Sequence, residues 1–330
     1  MIDSYDRNIN YLRISITDRC NLRCTYCMPK DGLSVMGHED ILSYEEILRI
    51  VAVAARVGIA KVRITGGEPL VRRGVVDFIS RLSLIPGLND ISLTTNGILL
   101  ENFASSLFNA GIKRINISLD SLDAKKYAHI TRGGGLEAVL RGVEAAYQAG
   151  FSPIKINAVV IKGVNDDEIL DFAVLTMNKP FQVRFIELMP MGQVGSGYQG
   201  KYVSNDVIFE RINKFYRLEP VSAGHNNTGG PARMYRIEGA LGEIGFISPI
   251  SHHFCNGCNR LRLTADGHLR ACLLQDKDVS LREALRSGCS DDQLRDLISS
   301  VVADKPRQHE MGGDKNHLRK CVKEMSSLGG

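Results

Sequence analysis

Long hydrophobic runs are missing from this chain. The longest, IVAVAA, lies between Arg49 and Arg56 and is far shorter than the roughly 20 residues a membrane-spanning helix needs. The opening MIDSYDRNIN carries charges and no apolar core, so it does not read as a secretory signal. Net charge is scarce as well, at +4, and much of it sits around Lys305, Arg307, Lys315, Arg319, Lys320 and Lys323. A solvated basic tail fits that distribution better than a nucleic-acid surface. The reading is of a cytoplasmic protein with neither nucleic acid nor membrane as partner. In a reducing compartment its eight cysteines point to metal or redox chemistry rather than disulfides.

A fourth cysteine is missing too. Cys20, Cys24 and Cys27 form C-x3-C-x2-C, and the next cysteine is Cys255. Cys255, Cys258 and Cys272 then form C-x2-C-x13-C, again three thiols without a fourth. Three thiolates suit a 4Fe-4S cube with one iron left open to a small molecule. The alternative is zinc, with His38 completing the first set and His252 or His253 the second, although zinc cysteines usually come as C-x2-C pairs. Cys289 and Cys321 lack partners at metal spacing and read as inert.

What is abundant is β/α alternation. Hydrophobic residues at 44% and charged ones at 24% are ordinary for a globular chain, and 330 residues allow about two domains. Between residues 11 and 190 short β-rich runs (YLRISIT, KVRITGG, DISLTTNG, KRINISLD, IKINAVVI, QVRFIEL) alternate with amphipathic helical stretches, which indicates a parallel sheet. Ser43 with Glu46, and Asn165 with Glu168, read as capping boxes for the first and last helices. Ile47, Ile50, Val51 and Ala54 mark the buried face of the first.

Strand side chains alternate between faces. One face gathers Leu12, Ile14, Ile16, Val62, Ile64, Ile91, Leu93, Ile115, Ile117, Ile154 and Ile156. The other gathers Arg13, Ser15, Arg63, Thr65, Ser92, Thr94, Asn116, Ser118, Lys155 and Asn157. Parallel sheets are normally covered on both faces. The pattern therefore predicts either a sheet with one wet face or, preferably, a partly closed barrel with a polar lumen. The fold expected is α/β: an incomplete (β/α)6 TIM-type barrel over 1–190, a glycine-rich linker at 191–203, and a smaller α+β region over 204–330 carrying the second cysteine set. Within that region, helices are expected near Asn205–Phe215 and after Val279 and Asp291, with strands near Arg233–Ile237 and Glu243–Ile247. A hairpin turn is expected at Ala265-Asp266-Gly267-His268. Read as a strand, Arg260 and Arg262 share a face, either as a clamp for phosphate or carboxylate oxygens or as a surface pair.

The cysteine motif with Tyr26 before Cys27, just after the first strand, and the Gly66-Gly67-Glu68-Pro69 loop resemble the radical S-adenosylmethionine enzymes. In that family the open iron chelates the methionine amino and carboxylate groups, and an electron from the cluster cleaves the sulfonium to a 5′-deoxyadenosyl radical. The wider pattern, SITDRCNLRCTYCMP, RITGGEPL, TTNG, NISLDSL, CNRLRLTADG and the terminal Gly329-Gly330, resembles the GTP 3′,8-cyclase family of molybdenum cofactor biosynthesis over nearly the full length.

The resemblance implies two 4Fe-4S clusters on the six grouped cysteines, the second cluster's open iron binding guanine. It implies S-adenosylmethionine contacts from Tyr26, Gly67, Ser118 and Met189, and GTP contacts from Arg13, Arg63, Thr94, Lys155 and the Arg260-Leu261-Arg262 stretch. Gly329 and Gly330 are implied to reach the catalytic site. The reaction implied is abstraction of hydrogen from ribose C3′ and attack of that carbon on guanine C8. An electron donor and the downstream cyclic pyranopterin monophosphate synthase are the implied partners of a monomer or homodimer. Two rivals remain on sequence grounds. A radical peptide-modifying enzyme with an auxiliary cluster would want more C-terminal cysteines, and a non-catalytic iron-sulfur or zinc protein has no use for GGEP or a basic lumen.

Overall fold

The computed structural model describes residues 1–191, 198–221, 230–309 and 325–328. Six strands carry the predicted alternation: β1 (Tyr11–Ser15), β2 (Lys61–Thr65), β3 (Asp90–Thr95), β4 (Arg114–Ser118), β5 (Ile154–Val160) and β6 (Gln182–Glu187). They pair in parallel and in chain order. The connections are α1 (Tyr44–Arg56), α2 (Val75–Ser83), α3 (Leu100–Asn109), α4 (Ala124–Thr131), α5 (Leu136–Gln148) and α6 (Ile169–Asn178).

The expected apolar face is buried in one core with Ile47, Ile50 and Val51 of α1 and with Phe78 and Ile79 of α2. Each such side chain contributes about 1.5–3 kcal/mol when fully buried. At the start of α1 the Ser43 hydroxyl accepts from the Glu46 amide at 3.1 Å, while the Glu46 carboxylate accepts from the Ser43 amide at 2.7 Å. That capping box is present; the one expected at Asn165 and Glu168 is not. Asn165 instead accepts from the Ile161 amide and donates to the Asp120 and Val159 carbonyls, and Glu168 accepts from Ser121 and Leu122. Both side chains satisfy buried backbone groups in the loops after β4 and β5, which outweighs a local cap.

The rest of the chain does not build a sheet of its own. After α7 (Tyr198–Lys201) and α8 (Asn205–Asn213) come β7 (Leu218–Pro220), β8 (Arg233–Ile237) and β9 (Glu243–Ile247). Then follow β10 (Arg260–Leu263), β11 (His268–Arg270), β12 (Val279–Ser280), α9 (Leu281–Arg286), α10 (Asp291–Ala303) and α11 (Met325–Leu328). β9 joins β6 in parallel and β10 joins β1 in parallel, giving a continuous order β12-β11-β10-β1-β2-β3-β4-β5-β6-β9-β8-β7. The six-stranded partial barrel is thus lengthened by one parallel strand at each edge. The expected turn at residues 265–268 links antiparallel β10 and β11, with Gly267 at φ +85°.

Lys305 departs from the solvated tail expected for it. It is 3% exposed and donates to the Arg260 carbonyl at 2.9 Å and to that of Ala271. Lys315, Arg319, Lys320, Cys321 and Lys323 lie outside the described residues, as do residues 192–197 of the stretch read as a linker. No helix among the described residues is long and apolar enough to cross a membrane.

Candidate active site

The polar face encloses a cavity of about 310 Å³, lined by residues from all six strands β1–β6, from β10 and from both cysteine groups. For one cavity to collect side chains from so many strands the sheet must wrap around it, so the wet-face alternative falls. Arg13, Arg63, Thr94, Ser118, Lys155, Met189, Arg260 and Arg262 all line it, as do Tyr26, Gly67, Cys20, Cys24, Cys27, Cys255, Cys258 and Cys272. Leu261 is the exception. It is 1% exposed, in register with Leu12 and packed into the helix-side core, because neighbours of Arg260 and Arg262 must point the other way. Gly329 and Gly330 lie outside the described residues.

The first cysteine loop is held by backbone. The Gly67 amide donates to the Thr17 carbonyl and the Glu68 amide to the Arg19 carbonyl, both at 2.8 Å. A Cβ on Gly67 would stand 2.4 Å from the Arg19 carbonyl oxygen. The glycines of GGEP therefore admit the chain that leads into Cys20. Glu68 is 1% exposed and accepts from Thr95 at 2.8 Å and from the Leu70 and Asn96 amides at 3.1 and 2.7 Å. Burial pushes its carboxyl up to about 7 against those hydrogen bonds. The Tyr26 hydroxyl donates to Asp120 at 2.7 Å, and the other Asp120 oxygen accepts from the Val159 amide at 2.8 Å. Burial raises the Asp120 carboxyl to about 6 and, with Asp120, Cys27 and Cys20 nearby, drives the Cys24 thiol well above its ordinary value.

The second cysteine loop is clamped from both chain ends. Arg7, in a buried ion pair with Asp3 at 2.6 Å, donates to the Cys255 carbonyl at 2.9 Å and to the Pro306 and Arg307 carbonyls at 2.7 and 3.0 Å. Burial raises the Cys258 thiol, but the charges of Arg260 and Lys305 and hydrogen bonds from Arg260 bring it down to about 6. His252 turns away to Asp206 at 2.8 Å, whereas His253 lies 2.8 Å from His309.

Cations dominate the lumen. In register across the sheet, Arg262 neighbours Arg13 and Arg13 neighbours Arg63. Burial, then Arg262 and Arg63, lower Arg13 well below its ordinary value. Burial, then Arg184, Arg114 and Arg63, bring Lys155 down to about 6. Arg184 is lowered to about 9, first by burial and then by Arg63, and its Nη2 donates to Gln182 at 2.9 Å. Arg114 pairs within the wall with Asp90. Arg184, Asp120 and Glu68 were not singled out from sequence. Period two in QVRFIEL, continued from the other strands, places Arg184 on the polar face.

Each donor set is three thiols, the ligand chemistry that an iron-sulfur cluster uses. Two thiolates on one zinc at 2.3 Å stand about 3.8 Å apart. Among the described residues neither cysteine triad is drawn within 4.8 Å as a single ion requires; the one such group is His253, Cys255 and His309. His38 joins no such group. Six half-buried thiols that repel one another when ionised call for cationic metal.

Comparison with known proteins agrees with this chemistry. Residues 14–175 match the Radical SAM superfamily, and residues 181–311 match Molybdenum Cofactor Synthesis C. The GTP 3′,8-cyclase of Thermodesulfovibrio yellowstonii is 50% identical over all of both chains, and that of Moorella thermoacetica is also 50% identical over all of both chains. Among solved structures, Streptococcus suis SuiB bound to S-adenosylmethionine aligns with a TM-score of 0.57 at 15% identity, covering 87% of this chain and 68% of that one. The last likeness is one of fold.

Proposed function

This chain belongs to the GTP 3′,8-cyclase family of the radical S-adenosylmethionine superfamily, and from that membership we propose how its residues divide the work of joining ribose C3′ to guanine C8. Its function is the conversion of GTP into 3′,8-cyclo-7,8-dihydroguanosine triphosphate, the first step of molybdenum cofactor biosynthesis, with S-adenosylmethionine and an iron-sulfur cluster. When bound, these cofactors supply the one-electron cleavage that generates the hydrogen-abstracting radical.

Cys20, Cys24 and Cys27 would hold the first cluster. Tyr26, Gly67, Ser118 and Met189, grouped on the same lumen, would hold S-adenosylmethionine. Cys255, Cys258 and Cys272 would hold a second cluster against the guanine. Arg13, Arg63, Thr94, Lys155, Arg260 and Arg262 would hold GTP. The observation that carries this division is the cation excess of the lumen. Arg13, Arg63 and Arg262 neighbour one another on adjacent strands, and such crowding is costly until a polyanion enters. A triphosphate supplies the charge and the oxygen geometry that guanidinium forks match. The surrounding walls exclude water and hold the reacting carbons together, which is the protein's main contribution to radical chemistry. Catalysis also needs an electron donor, and the product passes to the cyclic pyranopterin monophosphate synthase. Zinc at the second site is the alternative favoured by the His253, Cys255 and His309 group.

The test is anaerobic product analysis with GTP, S-adenosylmethionine and dithionite, together with metal content. The expected result is the cyclic nucleotide and about eight irons per chain, two cubes' worth. About four irons with zinc in the second site would overturn the two-cluster assignment. Cys24→Ala should abolish cleavage of S-adenosylmethionine, whereas Cys258→Ala should retain part of it and lose cyclisation.

A further inference from the structure

Glu187 ends β6, is 1% exposed and lines no part of the cavity, yet its carboxylate gathers two separate segments, around Tyr202–Asn205 and Ile250–Ser251. Oε1 accepts from the Tyr202 hydroxyl and the Asn205 amide, each at 3.1 Å, and from the Ser251 hydroxyl at 2.5 Å. Oε2 accepts from the Ile250 and Ser251 amides, each at 3.0 Å. Asn205, so fixed, donates from Nδ2 to the Ile247 carbonyl at 2.8 Å and to the Ser248 hydroxyl at 2.9 Å. Ile250 and Ser251, bound directly, and Ser248, bound through Asn205, lie on the path from β9 to Cys255. That path carries Pro249 and Phe254, both lining the cavity, and Phe254 lies beneath the Arg260 guanidinium at 5.0 Å.

We propose that Glu187 is a positioning residue for the substrate half of the site: it fixes the 248–255 segment, and through it Phe254, Arg260 and the second cysteine group, without serving the radical-generating half. The reading rests on the assignment of GTP and a second cluster to that half. The chemistry requires a carboxylate here, because three of the five donors are backbone amides that can only donate. An amide at this position fails in either orientation. With its NH2 in place of Oε2 it faces the Ile250 and Ser251 amides; in place of Oε1 it faces the Asn205 amide. The first cysteine loop is braced by other groups, Glu68 and the Gly67 backbone, so the two halves are separable.

The experiment compares Glu187→Gln with the unsubstituted full chain, both reconstituted anaerobically. Cleavage of S-adenosylmethionine without GTP, GTP affinity, cyclisation and the electron paramagnetic resonance spectrum on adding GTP are measured. Cleavage should stay within about twofold while GTP affinity falls about tenfold or more, as expected for buried donors left unsatisfied. The GTP-induced change in the second cluster's spectrum should diminish. Unchanged GTP affinity, or parallel loss of cleavage and cyclisation in folded protein, would overturn the proposal. If Glu187→Gln does not fold, Ser251→Ala, which removes one donor on the loop side, decides. It should weaken GTP binding about threefold or more with cleavage unchanged, and equal GTP affinity there overturns the proposal. Cys258→Ser run in parallel separates the two ideas: a Cys258→Ser protein that binds GTP normally refutes the second-cluster assignment, whereas loss there with normal Glu187→Gln refutes only the role of Glu187.

Discussion

Arg13 and Arg262 stand opposite each other across the parallel β1–β10 pair, although they come from opposite ends of the chain. Like charges in that position repel, and burial removes the water that would screen them. The pair also marks where the two halves of the protein meet, since β10 completes the wall that β1 begins. A bound triphosphate would turn the repulsion into a shared contact.

Arg262→Ala should therefore weaken GTP binding while leaving S-adenosylmethionine binding intact. A lost charged hydrogen bond is worth about 1.5–3 kcal/mol, or about one to two powers of ten in affinity. Arg260→Ala should do the same, with an added effect on the second cysteine group because Arg260 also hydrogen-bonds Cys258. Equilibrium binding of each ligand checks both. Unchanged GTP affinity would reduce the pair to a wall feature.

Much of this wall was legible in the sequence because period two is a local property. Arg13, Arg63, Thr94, Lys155 and the matching apolar residues could be sorted by counting alone. The same rule would have excluded the Leu261 side chain, which entered the substrate set by belonging to a motif rather than by its face. What could not be read depends on partners distant in sequence. Nothing near Arg7 announces the Cys255 carbonyl, and nothing near Lys305 announces the carbonyls of Arg260 and Ala271. Asn165 and Glu168 have capping-box spacing, but buried loop backbone claims their side chains first. The edge positions of β9 and β10 were equally hidden, because short strands carry no label for the strand they join.

Gly67→Ala should damage the first cluster selectively. The added Cβ would lie 2.4 Å from the Arg19 carbonyl oxygen and 2.8 Å from that of Asp18, both backbone atoms that cannot swing aside. The strain is of the order of 1–3 kcal/mol, and it falls on the segment leading into Cys20. Iron content and cleavage of S-adenosylmethionine should drop while GTP binding largely persists. A fully loaded, fully cleaving variant would show that the loop tolerates the displacement.

Lys155 should give GTP binding a proton linkage. With its ammonium lowered to about 6, chiefly by burial and then by neighbouring arginines, it is mostly neutral in the ligand-free protein at pH 7.5. An entering triphosphate favours the charged form and raises that value. Binding should then take up as much as about one proton, and affinity should fall as pH rises above about 6. Titration calorimetry in buffers of different ionisation enthalpy measures the uptake. Lys155→Met should abolish it, and an unchanged uptake would assign the proton to another group.

Gly329 and Gly330 should be needed for cyclisation. Leu328, immediately before them, is 1% exposed and packs with Met191, while Met325 lines the cavity and packs, like Met189, against that pair. The chain end is thus anchored at the wall of the site, and two extended residues span about 7 Å. Side-chain-free residues can enter where others collide. Free termini usually tolerate change, so deletion should be silent if the anchor is only packing. Deleting Gly329 and Gly330 should instead leave iron content and the fold intact and abolish most cyclisation. Adding a peptide that ends in SLGG should restore part of the activity once it displaces the truncated chain's own Leu328 from its pocket. Full turnover by the truncated chain would return these residues to an ordinary frayed end.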